Sequence, residues 1–254
     1  MAVLRATNLE KSFGSVEVLS GLSFEVGAGE LFGVLGPNGA GKTTTIAILT
    51  GQLTPDAGEA SVFGTDPTSE PIRTRSRVGI LPEQQPPPSF LTPREYLEFV
   101  GSIRSMEPEL VDDRLDTWAT RLGFREKLDT LHTDLSRGQQ QKVMISQAFL
   151  HDPDLVFIDE PLVNLDPLAQ EQVTAFLRRY VDRGNTIVVS THNIDVAEGI
   201  CTRVGIVVDG TCRIVNQGTG EAVDLRKHFL EAVETDDDRD GASLEATAAS
   251  AEHR

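Results

Sequence analysis

Short apolar runs separated by turn residues recur along most of this chain, and they predict β-strands. Three runs near the N-terminus, at residues 3–7, 16–19 and 22–26, predict a small antiparallel layer. Further apolar runs predict buried strands at residues 30–35, 60–63, 78–81, 155–158, 186–190 and 204–208. These later runs are almost continuously apolar, which is typical of strands covered on both faces of a parallel sheet.

Between the strands, apolar residues recur at the spacing of α-helices. One stripe follows a predicted helix start at Thr92-Pro93, a second ends at Gly123, and a third ends at Gly184. The stripes consist of Tyr96, Phe99, Val100 and Ile103; of Val111, Leu115, Trp118 and Leu122; and of Val173, Phe176, Leu177, Tyr180 and Val181. We expect all eight residues of the first two stripes to pack in the hydrophobic core.

The order of these elements predicts an α/β fold. Its parts are a mostly parallel sheet with crossover helices, an antiparallel β layer, and a helical subdomain inserted at about residues 92–150. We expect residues 1–234 to form one domain. Residues 235–254 contain Asp236-Asp237-Asp238 and lack apolar periodicity, so they are predicted to be a disordered acidic tail.

Composition limits the partners of this chain. Its 39 acidic and 23 basic residues give a formal net charge of −16, which repels nucleic acid, so no nucleic-acid partner is expected. The two cysteines, Cys201 and Cys212, lack metal-type spacing and are interpreted as buried thiols. No apolar run approaches the roughly 20 residues that span a bilayer. We therefore expect a cytoplasmic protein that reaches a membrane only through a partner.

Residues 36–43 read Gly-Pro-Asn-Gly-Ala-Gly-Lys-Thr and fit the phosphate-binding pattern G-x-x-x-x-G-K-[ST] at every fixed position. An apolar strand precedes this loop and a predicted helix follows it, as the motif requires. Lys42 is expected to contact the β- and γ-phosphates of a nucleotide, and the Thr43 hydroxyl to bind Mg²⁺. The predicted phosphate-binding residues are Gly36, Pro37, Asn38, Gly39, Ala40, Gly41, Lys42, Thr43 and Thr44.

Four later segments complete a recognisable set. They are Leu135-Ser-Arg-Gly-Gln139, Leu155-Val-Phe-Ile-Asp-Glu-Pro161, Asn164-Leu-Asp166 and Ser190-Thr-His192. In this order and spacing, and with the phosphate loop, residues 1 to about 220 resemble the ATP-binding subunit of an ABC transporter of the simple exporter-like (ABC-2 type) subgroup. The resemblance implies a P-loop NTPase core of the ABC ATPase type, with ATP and Mg²⁺ as cofactors.

The resemblance also implies a role for each matching residue. Asp159 corresponds to the residue that holds Mg²⁺, Glu160 to the one that polarises the attacking water, and His192 to the one that contacts the γ-phosphate. Phe13 corresponds to the aromatic residue that stacks on adenine, beside Val18. Residues implied to complete the nucleotide site of an opposite subunit, or to adjoin it, are Ser136, Arg137, Gly138, Gln139 and Asp166. Arg137 stands where the family commonly has glycine.

The clearest departure from the family is the glutamine loop after the strand at 78–81. The family usually has glutamine directly after proline, whereas here Pro82 is followed by Glu83 and then by Gln84. Glu83 takes the position by register, and Gln84 lies one residue later. Either side chain could reach Mg²⁺, and the sequence leaves the choice open.

The family's geometry implies that each ATP lies between two subunits. A chain with one phosphate loop is then expected to form a C₂ dimer with a second copy or with a close paralogue. Residues from about 82 to 105 are expected to bind an integral-membrane permease subunit. This contact would hold the chain on the inner face of the membrane. The alternative function is that of a soluble ABC ATPase with no role in transport, such as an iron–sulfur assembly ATPase.

Overall fold

A computed structural model of the chain describes residues 2–83, 86–216 and 224–234. Three N-terminal strands form an antiparallel sheet in the order β2-β1-β4. Their bounds are β1 Ala2–Phe13, β2 Val16–Gly27 and β4 Ala57–Val62. The predicted antiparallel layer is present, but the runs at residues 16–19 and 22–26 form the single strand β2, and the third strand of the layer is β4.

A second sheet of six strands forms the centre of the fold in the order β5-β6-β7-β3-β8-β9. Its strands are β3 Leu31–Leu35, β5 Val78–Leu81, β6 Leu155–Asp159, β7 Thr186–Thr191, β8 Arg203–Val208 and β9 Thr211–Asn216. The first five in this order are parallel, and β9 is antiparallel to β8. Every residue of β3, β6 and β7 is buried, which explains their continuous apolar runs. The edge strand β9 was missed because its residues are mostly exposed.

Seven named helices surround the sheets. Their bounds are α1 Lys42–Leu49, α2 Pro71–Arg77, α3 Pro93–Ile103, α4 Pro108–Leu122, α5 Arg137–Phe149, α6 Pro167–Asp182 and α7 Ile194–Ile200. Residues 225–234 are also helical. In the chain, α3, α4 and α5 lie between β5 and β6, as the predicted helical insertion requires. None of the helices in the described residues is long and apolar enough to cross a bilayer.

Local sequence explains where the inserted helices begin and end. Thr92 caps α3 in a reciprocal capping box with Glu95, and Ser136 caps α5 in the same way with Gln139. Helix α4 ends at Gly123, whose φ of 69° lies in the left-handed region that favours glycine.

An aromatic cluster joins the inserted helices to α6. Trp118 of α4 and Phe149 of α5 both contact Phe176 of α6, each with ring centroids 4.9 Å apart. Tyr180 of α6 completes the cluster at 5.0 Å from Phe149. This packing ties the insertion to a helix of the main α/β layer and holds the end of α5, where Phe149 lies, against α6.

The core prediction was wrong for two residues of α3. Phe99 is 53% exposed and Ile103 is 66% exposed. The helix instead buries Leu97, Val100 and Gly101, and Gly101 lies so close to α4 that an added Cβ would be 2.4 Å from a Val111 methyl carbon. This close approach rotates the buried face away from the stripe chosen from the sequence.

Of the other two predicted core residues of α3, Val100 is buried and Tyr96 is partly buried. All four stripe residues of α4 are buried, as are Val173, Phe176, Leu177 and Tyr180 of α6. Cys201 is buried and Cys212 is partly buried, and burial raises the pKa of each thiol to about 12. The predicted acidic tail at residues 235–254 lies outside the described residues.

Candidate nucleotide-binding site

The glycine loop lies between β3 and α1 at the carboxyl edge of the central sheet. At Gly36 an added Cβ would be 2.2 Å from the Val207 carbonyl oxygen. Gly41 has a φ of 98°, and its Cβ would be 2.6 Å from the Leu19 side chain. Larger residues would displace the loop from β8 and β2. The loop therefore needs glycine at these two positions for steric reasons that do not depend on any contact with phosphate.

Lys42 begins α1 and is only 8% exposed. Its Nζ donates to the carbonyl oxygens of Gly36, at 2.8 Å, and Pro37, at 2.9 Å. Burial lowers the pKa of Lys42, while the nearby carboxylates of Glu160, Asp159 and Glu83 act in the opposite direction. A buried ammonium group at the mouth of a glycine loop is suited to bind phosphate oxygens.

Asp159 ends β6 and contacts Thr43 in the first turn of α1. Its Oδ2 accepts from the Thr43 hydroxyl at 3.2 Å, and its Oδ1 accepts from the Ser190 hydroxyl. Burial raises the pKa of Asp159, and the two hydroxyl hydrogen bonds partly offset this effect. A cation beside Asp159 would relieve the cost of burying its negative charge.

The oxygen donors of this corner fit Mg²⁺. The ion prefers hard oxygen ligands and commonly takes only one or two protein carboxylates together with substrate phosphates. Thr43 and Asp159 supply one hydroxyl and one carboxylate. Within the described residues, no group of three or more His, Cys, Asp or Glu side chains forms a metal site. The donor set therefore suits an ion shared with a nucleotide and not an all-protein metal cage.

Glu160 is held in one orientation by the end of β7. Its Oε2 accepts from the Thr191 hydroxyl at 2.9 Å, and its Oε1 accepts from the His192 backbone N–H at 2.9 Å. The His192 ring contacts the same oxygen through Nδ1 at 2.6 Å. Glu160 has a φ of 50°, and its backbone N–H donates to the Ser190 carbonyl at 2.9 Å. A side chain with this many partners cannot swing freely out of the site.

On the opposite side, Phe13 ends β1 and is 52% exposed. The Lys11 ammonium lies 5.8 Å from the centroid of its ring. Asp56 accepts from Lys11 Nζ at 2.6 Å and from the Ser12 backbone N–H at 2.7 Å. Asp56 thus fixes the strand end that carries Phe13, a function that its isolated position in the sequence did not indicate.

These residues line one cleft of about 440 Å³, a volume typical of small-molecule sites. The lining residues are Phe13, Val18, Asn38, Gly39, Gly41, Lys42, Thr43, Thr44, Glu83, Asp159 and Glu160. The structure therefore gathers both strand-end carboxylates, the loop and the aromatic residue in one cleft. Gly36, Pro37 and Ala40 belong to the same loop but do not line this cleft, and His192 contacts Glu160 beside it.

The five residues expected to complete or adjoin the site of an opposite subunit do not line that cleft. Ser136 and Gln139 cap α5 reciprocally, and Arg137 and Gly138 form its first turn. Asp166 caps α6 by accepting from the Ala169 backbone N–H at 3.0 Å, and this hydrogen bond lowers the pKa of its carboxyl group. Glu83 lies in the nucleotide cleft, whereas Gln84 lies outside the described residues.

Sequence reasoning missed Ser190 and Thr191 as site residues. Both hydroxyls donate to the carboxylates at the end of β6. The signal was available, because Ser190-Thr191 directly precedes His192 on an apolar strand. Only the pairing of β6 with β7, with Asp159 opposite Ser190, shows where these hydroxyls lie.

The fold and the cleft define a nucleotide-binding ATPase of the P-loop class. The family model described as ABC transporter matches residues 19–163. The chain belongs to this family, as an ATP-binding subunit whose reaction is the hydrolysis of ATP.

Individual relatives support the same family assignment. The Nod factor export ATP-binding protein I of Burkholderia lata is 36% identical over 216 residues, which cover 85% of this chain and 70% of that protein. The daunorubicin/doxorubicin resistance ATP-binding protein DrrA of Streptomyces peucetius is 33% identical, with 85% of this chain and 65% of that protein covered. A solved ATP-binding subunit of an ABC transporter superposes with a TM-score of 0.78 at 30% identity, covering 84% of this chain and 90% of that one. These comparisons favour a transporter subunit over the iron–sulfur assembly alternative.

Proposed function

We propose that this chain drives export through a separate membrane subunit, by binding ATP between two copies of itself and hydrolysing it. The observation that carries this proposal is the position of Glu160. Its carboxylate lines the nucleotide cleft and is oriented by Thr191 and His192 beside Asp159. A regulatory module that only binds nucleotide has no need of a second, separately oriented carboxylate there.

The phosphate-binding side of the cleft consists of the glycine loop, Lys42, Thr43 and Asp159. Lys42 exchanges its two loop carbonyl partners for β- and γ-phosphate oxygens, while loop N–H groups bind the phosphates from the other side. Thr43 and Asp159 would hold Mg²⁺, which would neutralise charge on the phosphates. Phe13 provides a flat ring for adenine, and Val18 adds an apolar contact beside it.

Glu160 is assigned as the group that orients and deprotonates the attacking water. An ionised carboxylate only accepts hydrogen bonds, so the 2.6 Å contact to His192 places a proton on Nδ1. Since the His192 side chain is 55% exposed, it is available to contact the γ-phosphate of a bound nucleotide.

A second subunit is needed to complete the site. Ser136 and Arg137 are exposed at the N-terminus of α5, outside the residues that line the nucleotide cleft. The N-terminus of this helix presents unpaired N–H groups and positive potential, which suit phosphate. In a C₂ dimer the first turn of α5 from each copy, Ser136 to Gln139, faces the nucleotide of the other, and Asp166 lies at the same interface. A close paralogue could replace one copy.

The membrane subunit is proposed to dock on the segment before and along α3. Phe90 is 75% exposed, Phe99 is 53% exposed and Ile103 is 66% exposed. This segment therefore exposes three large apolar side chains to solvent. Such side chains mark an interaction surface when they occur close together. Docking there would hold the chain on the inner face of the membrane.

The test compares Glu160→Gln with the matched change Glu126→Gln at an exposed residue outside the cleft. Glu160→Gln should bind Mg²⁺-ATP yet hydrolyse it at least about 100-fold more slowly, because an amide cannot accept the proton. Light scattering should show it as a dimer with ATP and as a monomer without it. Glu126→Gln should behave as the unmodified chain does. A Glu160→Gln variant that hydrolyses ATP normally, or stays monomeric with ATP, would contradict the proposal.

A further inference from the structure

A second cleft lies next to the nucleotide cleft, between the segment after β5 and the helix α5. Its volume is about 590 Å³, and Glu83 and Arg137 are both among the residues that line it. These are the two charged residues that replace the family's usual glutamine and glycine in their motifs. Their opposite charges face the same space, although the two residues are 54 positions apart in the chain.

Packing of α5 on β5 brings the two residues together. Near the end of α5, the Ala148 carbonyl oxygen lies so close to β5 that a Cβ at Gly79 would be 2.1 Å from it. From there β5 continues directly into Pro82 and Glu83, while α5 runs back toward its first turn. The α5 residues that line the cleft are Arg137, Gln140, Gln141 and Met144, which share one helix face.

Glu83 also lines the nucleotide cleft, together with Lys42 and Asp159. Its negative charge opposes the effect of burial on the pKa of Lys42 and adds to the raised pKa of Asp159. The Glu83 carboxylate thus lies between two clefts, each of which offers it a positively charged partner. On one side are Lys42 and the proposed ion, and on the other is the Arg137 guanidinium.

Arg137 is the one cationic side chain among the described residues that line the second cleft. The neighbouring polar side chain, Gln140, is already engaged, because its Nε2 donates to the His132 carbonyl oxygen at 2.8 Å. Arg137 is exposed and long enough to follow a carboxylate across the cleft. Charge complementarity in this cleft therefore depends on Arg137 alone.

We propose that Arg137 is a positioning residue for Glu83. In the nucleotide-free chain its guanidinium attracts the Glu83 carboxylate into the second cleft and so draws this negative charge away from the phosphate-binding loop. Binding of nucleotide with its ion returns Glu83 to the first cleft and releases the first turn of α5. The inference rests on the proposed function, since it links the state of the ATP site to the turn that is offered to a second subunit.

The test measures ATP binding in the presence of EDTA, where Glu83 can only repel the triphosphate. Calorimetry gives the dissociation constant for the unmodified chain, Glu83→Gln, Arg137→Gln and the double variant. Arg137→Gln should weaken metal-free ATP binding by about two- to fivefold, the range expected for an exposed charge pair. In the Glu83→Gln background the same change should have no effect, and Arg137→Lys should retain the affinity of the unmodified chain.

Arg125→Gln is the matched control, because Arg125 is an exposed arginine whose 2.7 Å ion pair with Asp116 lies outside both clefts. It should leave metal-free ATP binding unchanged. An equal weakening by Arg137→Gln in both backgrounds would show a general charge effect and overturn the pairing. The absence of any effect of Arg137→Gln would overturn it as well.

Proximity is tested separately, in protein that holds no nucleotide. Glu83→Cys combined with Arg137→Cys should be joined by a short bismaleimide, and added Mg²⁺-ATP should reduce the yield. Glu83→Cys combined with Arg125→Cys should give only background, since Cys201 is buried and Cys212 partly buried. Equal yields from the two cysteine pairs would refute the pairing. This measurement does not depend on hydrolysis, so a chain that fails to hydrolyse ATP would overturn the proposed function and leave this test intact.

Discussion

The His192 ring and the Glu160 carboxylate are in direct contact, with Nδ1 and Oε1 2.6 Å apart. The same oxygen accepts the backbone N–H of His192 at 2.9 Å. One residue at the end of β7 therefore fixes both the position and the hydrogen-bonding state of a carboxylate at the end of β6. The strength of this coupling can be measured because the backbone contact survives removal of the ring.

We expect His192→Ala to lower kcat for ATP hydrolysis by about 100-fold, the usual contribution of one positioned proton-transfer group. ATP affinity should change little, since Lys42 and the glycine loop hold most of the phosphate charge. Steady-state kinetics and calorimetry measure the two quantities. His228→Ala is the control, because that ring lies 3.6 Å from Glu231 in the C-terminal helix. An unchanged kcat in His192→Ala would contradict the role given to the pair.

The anchoring of Phe13 by Asp56 predicts an effect on nucleotide affinity alone. Asp56→Ala should raise the KM for ATP several-fold with little change in kcat, because it frees the strand end that carries the ring. Asp66→Ala, which removes a similar local contact to Thr68 elsewhere on the surface, should leave KM unchanged. If Asp56→Ala lowers kcat and leaves KM unaltered, Phe13 does not bind adenine in the manner proposed.

The pH dependence of this anchor follows from the same contacts. Hydrogen bonds from Lys11 and Ser12 hold the pKa of Asp56 below its ordinary value of 3.8. A carboxylate with a depressed pKa keeps its contribution above that value and loses it only as the pH falls further. The KM for ATP should therefore show no Asp56-dependent change between neutral pH and about pH 4, which a comparison with Asp56→Ala across this range can check.

The composite-site geometry predicts complementation between two inactive variants. Ser136→Arg should bind ATP as a monomer but fail to hydrolyse it, because Ser136 lies outside its own nucleotide cleft. Lys42→Ala should lose ATP binding, since the main fixed cation is absent. Mixing them should restore partial hydrolysis, because a mixed dimer retains one intact site.

Thr117→Arg, on an exposed part of α4, controls for the added arginine. It should hydrolyse ATP normally without a partner variant. A mixture of Ser136→Arg and Lys42→Ala that stays inactive would argue against a site shared between subunits. Loss of ATP affinity in monomeric Ser136→Arg would instead place Ser136 at its own subunit's nucleotide.

Two neighbouring residues of α3 should differ sharply in their effect on stability. Leu97 is fully buried, so Leu97→Ala should lower the free energy of unfolding by about 2–5 kcal/mol. Phe99→Ala removes an exposed ring and should change it by no more than about 0.5 kcal/mol. Urea unfolding measures both changes. Phe99→Ala should also reduce co-purification with the membrane subunit, and a strongly destabilised Phe99→Ala would show that the ring is packed after all.

The sequence by itself determined the local parts of this protein. The glycine loop, the strand before it and the helix after it follow from neighbouring residues, because turn geometry and helix capping act over a few positions. The two carboxylates that end β6 were likewise recognisable from their place after a buried apolar run. Family motifs in a fixed order then indicated ATP binding before any distance was known.

Only the tertiary structure decided which residues complete one another. The strand order β6-β7-β3 brings Asp159 opposite Ser190 and Leu35 opposite Thr191, so two unassigned hydroxyls enter the site. Close packing of Gly101 on α4 turned Phe99 outward, against the sequence prediction. The shared cleft of Glu83 and Arg137 depends on how α5 crosses β5. Such contacts join residues far apart in the chain, and helical or strand periodicity carries no information about them.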